Sequence, residues 1–173
     1  MALVIDDTLG GANSNSYVNL ADATTYFSTQ LYSDTWTNAT DDDQRNRALV
    51  MATERIDKED FLGSRGSITQ SLKFPRLNLP LVDGIDFSGI IPIGLKKATY
   101  ILAQYMLTTN MNQLGSKSDS IQQVKVGSID VKFATDVNDN NSISYTTLPP
   151  DVQEYLNDFS DSVSNEIQVE WMR

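Results

Sequence analysis

The strongest helical pattern in the chain follows Pro92 and runs to Thr108. Its apolar side chains recur at the spacing of one helix face, and they are Leu95, Ala98, Ile101, Leu102, Tyr105 and Met106. Pro92 suits the first turn of a helix, because the N–H that proline lacks has no partner there. A helix of about 17 residues with this many polar positions is too short and too polar to span a membrane. We expect it to be the buried element against which the other helices pack.

Two earlier segments also show helical periodicity. The first begins near Asn19, a favourable N-cap, and its apolar stripe is Leu20, Ala23, Phe27 and Leu31. We expect Trp36 to follow in a turn that covers one end of the core. The second segment begins at Thr40, with residues 41–43 placing three carboxylates where the helix dipole favours negative charge. It ends before Gly63, and its predicted buried stripe is Ala48, Leu49, Ala52 and Ile56.

The C-terminal third combines an alternating pattern with one more helix. Apolar residues alternate with polar ones on both sides of Gly127, which predicts a β-hairpin over about residues 121–134. Ile143 and Tyr145 predict a third short strand. A final helix begins at Pro149, and its apolar face is Val152, Tyr155, Leu156 and Phe159. The predicted fold is therefore α+β: a small bundle of about four helices with a β-hairpin and extended terminal segments.

The chain length of 173 residues fits one domain. Within residues 1–173 we expect an N-terminal arm over residues 1–16, a helical body over 17–162 and a C-terminal tail over 163–173. The long connection over residues 63–91 is rich in apolar side chains, and its prolines keep it extended. Loops of this length inside a compact domain usually serve a function or an interface. We therefore predict that this connection is pinned onto the helices and partly available to a neighbour, with Phe74, Pro75 and Arg76 as candidate interface residues.

The composition leaves little room for catalysis. The chain has no cysteine and no histidine, which excludes disulfides, thiol chemistry and the usual general base near neutral pH. Neighbouring carboxylates at residues 41–43 point in different directions on a helix, so the start of a helix explains them better than a metal site. Asp136, Asn138 and Asn140 open like a calcium loop, but the glycine and the glutamate that should follow are missing. No phosphate-binding loop and no nucleophile elbow occurs. We expect no enzymatic activity, no metal and no cofactor.

The charge balance limits the kinds of partner that the chain is expected to bind. The chain has 13 basic and 23 acidic residues, for a net charge of −10. Nucleic-acid binding needs a basic face, which this balance opposes, whereas a negative surface lets a polyanion pass without sticking. The apolar run at the N-terminus lacks a preceding basic region, which argues against a secretory signal. We expect no membrane association.

The C-terminal tail is the remaining candidate for a contact. Four large apolar residues lie close to the end of the chain, and they are Ile167, Val169, Trp171 and Met172. A terminus frays unless something holds it, so these residues belong either to an edge strand of the protein's own sheet or to a docking segment for another chain. In the second case Trp171 is the natural anchor, because aromatic side chains dominate the energy of interfaces.

The order of these features resembles a phage protein family labelled DnaT-like single-stranded-DNA-binding, whose genes lie among head and tail assembly genes. It also resembles the head-to-tail adaptor, or connector, proteins of tailed phages. The features that carry the resemblance are residues 16–23, Tyr26-Phe27, Trp36, residues 41–43, residues 48–57, Phe74-Pro75-Arg76, Ile91-Pro92, the long helix and residues 124–131. Phe74 stands where the pattern leads us to expect tryptophan before Pro-Arg.

The two labels imply different functions, and the acidic charge favours the adaptor. The resemblance implies a virion protein at the head–tail junction, present in the host cytoplasm during assembly. It would form a cyclic homo-oligomer, commonly a dodecamer, between the portal protein and a tail or nozzle protein. DNA would pass through its channel without sequence-specific binding during ejection. The alternative is a single-stranded-DNA-binding protein.

Overall fold

The computed structural model describes residues 3–108, 123–126, 129–132 and 148–161. These residues form five helices and four short strands. The helices are α1 (Leu20–Ser28), α2 (Asp34–Thr37), α3 (Asp42–Ile56), α4 (Ile93–Thr108) and α5 (Pro150–Leu156). The strands are β1 (Ser64–Arg65), β2 (Arg76–Leu77), β3 (Gln123–Val126) and β4 (Ile129–Lys132). The predicted α+β class and small size are confirmed, while the predicted third strand near Ile143 lies outside the described residues. That the whole chain forms one domain stays a prediction.

Helix α4 is the centre of the fold, as its sequence pattern predicts. Helices α2, α3 and α5 all pack against it. Its buried set is wider than the predicted stripe because it meets neighbours on several sides, and it comprises Leu95, Ala98, Thr99, Tyr100, Leu102 and Ala103. Tyr105 was predicted on the apolar face but is half-exposed. None of the described helices is long and apolar enough to cross a bilayer.

Helix α1 begins as predicted but ends early. The Asn19 side chain accepts a hydrogen bond from the backbone N–H of Asp22 at 2.8 Å, which caps the first turn. The helix ends at Ser28, so Leu31 lies beyond it and is 91% exposed. Its predicted place in the apolar stripe is therefore wrong. Ser28 and Thr29 donate their hydroxyls to backbone carbonyls of the last turn, which competes with continued helix.

The start of helix α3 is shifted by one residue from the prediction. Asp41, and not Thr40, is the N-cap, and its carboxylate accepts from the Gln44 N–H at 2.7 Å. All four residues of the predicted stripe are buried, together with Thr53. The helix ends at Ile56, earlier than the predicted end just before Gly63.

Trp36 covers one end of the core as predicted, although it does so from the one-turn helix α2. Its ring stacks on Phe27 with the centroids 4.6 Å apart, and the side chain is 2% exposed. The described part of the N-terminal arm, residues 3–16, runs along the bundle without helix or strand. The backbone N–H of Leu3 donates to the Asp43 carboxylate at 2.7 Å, which attaches the arm to the start of α3.

Two antiparallel strand pairs complete the described structure. Strands β3 and β4 form the predicted hairpin, with Val124 opposite Val131 and Val126 opposite Ile129. Strands β1 and β2 pair Ser64 with Leu77 and Arg65 with Arg76 inside the long connection, which the sequence pattern did not predict.

Candidate interaction surface

The connection between α3 and α4 divides into two parts with different environments. We call residues 72–77 the base and residues 79–88 the prong. The base enters the core, and the prong projects from it as a tight turn with exposed apolar side chains. A hydrogen bond of 2.7 Å from the Gly89 N–H to the Arg76 carbonyl brings the chain back from the prong to the base.

Phe74 anchors the base in the aromatic core. The side chain is 1% exposed. Its ring makes edge-to-face contacts with Phe61, Tyr17 and Phe159 at centroid distances of 5.0, 6.0 and 6.5 Å. Pairs of this geometry add to the stabilisation that burial provides. The peptide bond between Phe74 and Pro75 is cis. The base is therefore a part of the hydrophobic core that lies outside the helices.

Arg76 ties the base to the segment that follows α3. Its guanidinium donates to the carbonyl oxygens of Leu62 at 2.5 Å, Gly63 at 2.8 Å and Phe61 at 2.9 Å. The residue is 9% exposed, and desolvation lowers the pKa of the guanidinium from its usual value. Because a planar guanidinium carries several fixed donors, one side chain satisfies three carbonyls that strands or helices leave unpaired.

Asp57, directly after α3, forms the second tie. Its carboxylate accepts from the backbone N–H of Lys73 at 2.9 and 3.1 Å and from the Tyr17 hydroxyl. Burial, followed by the charge of Asp57, raises the pKa of Tyr17 well above its ordinary value. Lys73 in turn donates its ammonium to the Glu59 carbonyl at 2.6 Å. The carboxylate therefore connects the end of α3, the start of the base and the segment that leads into α1.

Gly63 allows the two sides of the connection to approach closely. Its φ is +74°, in the region that favours glycine. A Cβ atom there would collide with the carbonyl oxygen of Leu77. The β1–β2 pairing therefore depends on the absence of a side chain at this position.

The prong is a regular turn. Val82 and Ile85 exchange backbone hydrogen bonds of 3.1 and 2.9 Å across Asp83 and Gly84. Both turn residues have positive φ, +52° and +78°, which is the conformation of a type I′ turn and matches the preference for Asp-Gly. At the root of the prong, Leu79 is 7% exposed.

The outer part of the prong presents apolar side chains to solvent. Leu81 is 66% exposed and Ile85 is 55% exposed, one on each side of the turn. Leu77, Ile90 and Ile93, which flank the prong in sequence, are also exposed. Clusters of exposed large apolar side chains on an ordered backbone typically mark a contact with another protein.

Among the described residues, by contrast, most basic side chains are engaged within the chain. Those with partners are Arg45, Arg47, Arg55, Arg65, Lys73, Arg76 and Lys97. The guanidinium of Arg45 donates to four acceptors, which are the Asp42 carboxylate and the carbonyls of Trp36, Thr37 and Ala39. These cations neutralise the protein's own acceptors, which leaves them less available to phosphates.

Within the described ranges, no group of three acidic side chains is placed so that it could hold a metal ion. The calcium-like loop at Asp136 lies outside those ranges.

One comparison identifies the family of the chain. A family model described as "Putative DnaT-like ssDNA binding protein" matches residues 1–173. The chain belongs to this DnaT-like family. No curated protein and no solved structure gives a significant match. The family description names single-stranded DNA, which agrees with the alternative that the sequence analysis kept open, and it says nothing of an adaptor.

The predicted interface residues fall into two groups. Phe74, Pro75 and Arg76 are brought together in the base, but all three are buried, so they shape the connection and do not themselves offer a surface. The tail residues Ile167, Val169, Trp171 and Met172 lie outside the described residues.

Leu81 and Ile85 are not among the predicted interface residues, although they lie in the connection that was predicted to meet a neighbour. The signal that identifies them is Asp83-Gly84 between apolar residues, which predicts a projecting turn.

Proposed function

We propose that this member of the DnaT-like family is a structural protein of the phage particle, a head-to-tail adaptor that forms a ring between portal and tail. The observation that carries the proposal is the contrast between the exposed apolar prong and the internally paired cations. Such a surface suits protein partners better than a polyanion, because phosphate binding requires free basic groups. A net charge of −10 adds repulsion toward DNA in a channel.

The aromatic side chains support the same proposal. Binding of single-stranded nucleic acid uses exposed aromatic rings, on which bases stack, beside free lysine or arginine. In the described ranges Tyr17, Phe27, Trp36, Phe74 and Phe159 are buried in the core. Tyr32 is the strongly exposed aromatic there, at 88%. The groups that would stack on bases are thus used to hold the helices together.

The proposed partners are other copies of the chain, the portal protein and a tail or nozzle protein. The protein acts at the head–tail junction of the virion after assembly in the host cytoplasm, without a cofactor, a membrane contact or an enzymatic step. DNA passes through the channel that the ring encloses. The C-terminal tail, with Trp171 as its anchor, contacts the portal.

Imaging of the purified protein mixed with the portal protein of its phage tests this function. We expect rings of the chain seated on portal rings. A variant that lacks residues 164–173 should lose this binding, and Trp171→Ala should weaken it, while both keep the thermal unfolding of the full chain. Portal rings that stay bare at every concentration of the full-length protein would rule the adaptor out.

Single-stranded DNA binding is the second candidate, and the family description favours it. Fluorescence anisotropy with a labelled oligonucleotide at physiological salt separates the two. An adaptor gives no saturable binding. Submicromolar affinity that falls steeply with salt would establish the DNA function instead. Replacement of Lys58, Arg65 and Lys96 by glutamine would then show whether described basic residues supply the contact.

A further inference from the structure

A second apolar surface lies at the other end of α3 from the prong. It is an open groove of about 830 Å³ between α1 and the first turns of α3. Leu20, Phe27 and Trp36 are among its lining residues, together with Thr24 of α1 and Arg45 of α3. Its volume falls within the range of pockets that bury a drug-sized ligand. A ligand of that size is larger than the side chains of one leucine and one isoleucine together.

One of the residues that line the groove also carries a buried donor without a partner. The indole N–H of Trp36 has no hydrogen-bond acceptor among the described residues, although the side chain is only 2% exposed. Buried polar groups are nearly always paired, so an orphan of this kind calls for an explanation. Because this nitrogen is buried, the Trp36 ring would have to shift before a backbone carbonyl in the groove could pair with it.

The prong of the same chain does not occupy this groove. No prong residue is among the residues that line it. The base, from which the prong projects, is held to Leu62 beyond the C-terminal end of α3, whereas Asp42 and Arg45 of the groove lie at the N-terminal end. The 15 residues of α3 span about 22 Å. One copy therefore presents two apolar surfaces on separate parts of its exterior.

We propose that the prong of one copy docks into the groove of the next copy. This inference rests on the proposed ring and names its subunit contact. Two different surfaces of one chain that fit each other make a heterologous contact, which closes into a ring when the rotation permits. Leu81 and Ile85 enter the groove against Phe27 and Trp36, and the turn at Asp83 and Gly84 holds them in place.

The contact is apolar, and this predicts its response to salt. Each copy carries a net charge of −10. The prong contributes Asp83 and Asp86, and Arg45 at the groove is already paired with Asp42. Association therefore proceeds against charge repulsion, and added salt strengthens it by screening. A contact based on ion pairs would weaken with salt.

Cysteine cross-linking tests the contact directly, because the natural chain has no cysteine. Chains with Leu81→Cys are mixed with chains with Thr24→Cys under mild oxidation, and the mixed dimer is quantified by mass. The control replaces the first partner by Ile68→Cys, at a fully exposed apolar position outside both surfaces. We expect at least about tenfold more mixed dimer than in the control. Equal yields would overturn the proposal.

Sedimentation of full-length variants supplies a second readout. Leu81→Asp with Ile85→Asp should weaken self-association by about thirtyfold or more, and Ile68→Asp should leave it unchanged. Association that survives the prong substitutions would exclude the prong. If rings on the portal form without Leu81–Thr24 cross-links, this contact is wrong and the adaptor function stands. If cross-links form and the portal stays unbound, the contact stands and the adaptor function falls.

Discussion

The base and the prong belong to one connection and have similar apolar content, yet their environments are opposite. Phe74 in the base is 1% exposed, whereas Leu81 in the prong is 66% exposed. The base is held by Tyr17 and by side chains of the segments that follow α3 and α5. The prong packs Leu79, Val82 and Phe87 against the core, and its outer part is held by its own turn. The difference shows that an ordered apolar segment need not be part of the core. The base is buried because other side chains pack around it, and the outer part of the prong has no such neighbours among the described residues.

The largest effect expected from this comparison is at Phe74. Phe74→Ala should lower the free energy of unfolding by about 3 to 5 kcal/mol, because it leaves a cavity among Tyr17, Phe61 and Phe159. Leu81→Ala is the matched control and should change it by less than about 0.5 kcal/mol. Urea denaturation measures both. A comparable loss in the two variants would mean that the prong is also part of the folded core.

Arg76 should show the next largest effect. Arg76→Met should cost about 3 kcal/mol, because it leaves the buried carbonyl of Phe61 and the partly buried carbonyls of Leu62 and Gly63 without donors. Arg47→Met removes an exposed ion pair with Asp43 and should cost less than about 1 kcal/mol. Thermal unfolding at matched concentration reports both values. If Arg76→Met lowers the free energy of unfolding no more than Arg47→Met does, water must replace the guanidinium. The base would then be more accessible to solvent than this structure shows.

Gly63 and Gly84 both have positive φ, but they differ in how closely other atoms approach them. Gly63→Ala should destabilise the protein by about 2 kcal/mol or more, since its methyl group collides with the Leu77 carbonyl in addition to the backbone strain. Gly84→Ala meets no atom within 4 Å and carries only the strain of its φ, about 1 kcal/mol. Denaturation midpoints compare the variants. The opposite order would contradict the close approach of β1 and β2.

The smallest expected effect is at Tyr17, and it depends on pH. Tyr17→Phe should cost about 1 kcal/mol near neutral pH, through the lost hydrogen bond to Asp57. The pKa of Tyr17 is raised in the folded protein, so its contribution is complete below the ordinary value of 10.0 and is lost as pH rises above it. The natural protein should therefore lose stability more steeply above pH 10 than the variant. Parallel curves at alkaline pH would show that this hydroxyl ionises freely.

Local patterns predicted the elements, and tertiary partners decided the rest. The stripe of α3 and the burial of Trp36 follow from apolar spacing alone. The cap at Asp41 in place of Thr40 does not, because both residue types cap well and only the final geometry selects one. Phe74 and Leu81 could not be separated by sequence, since the partners that bury Phe74, such as Phe159, lie far along the chain. The groove at Trp36 likewise arises only when α1 meets α3.

The turn of the prong has a consequence for how such chains diverge. Because Val82 and Ile85 close the turn through backbone hydrogen bonds, the exposed side chains on its two sides contribute little to the stability of the fold. A relative that serves a different neighbour could exchange Leu81 and Ile85 freely while it keeps Phe74, Arg76 and Gly63. Variation across isolates should therefore concentrate at the tip and track changes in the surface that receives it.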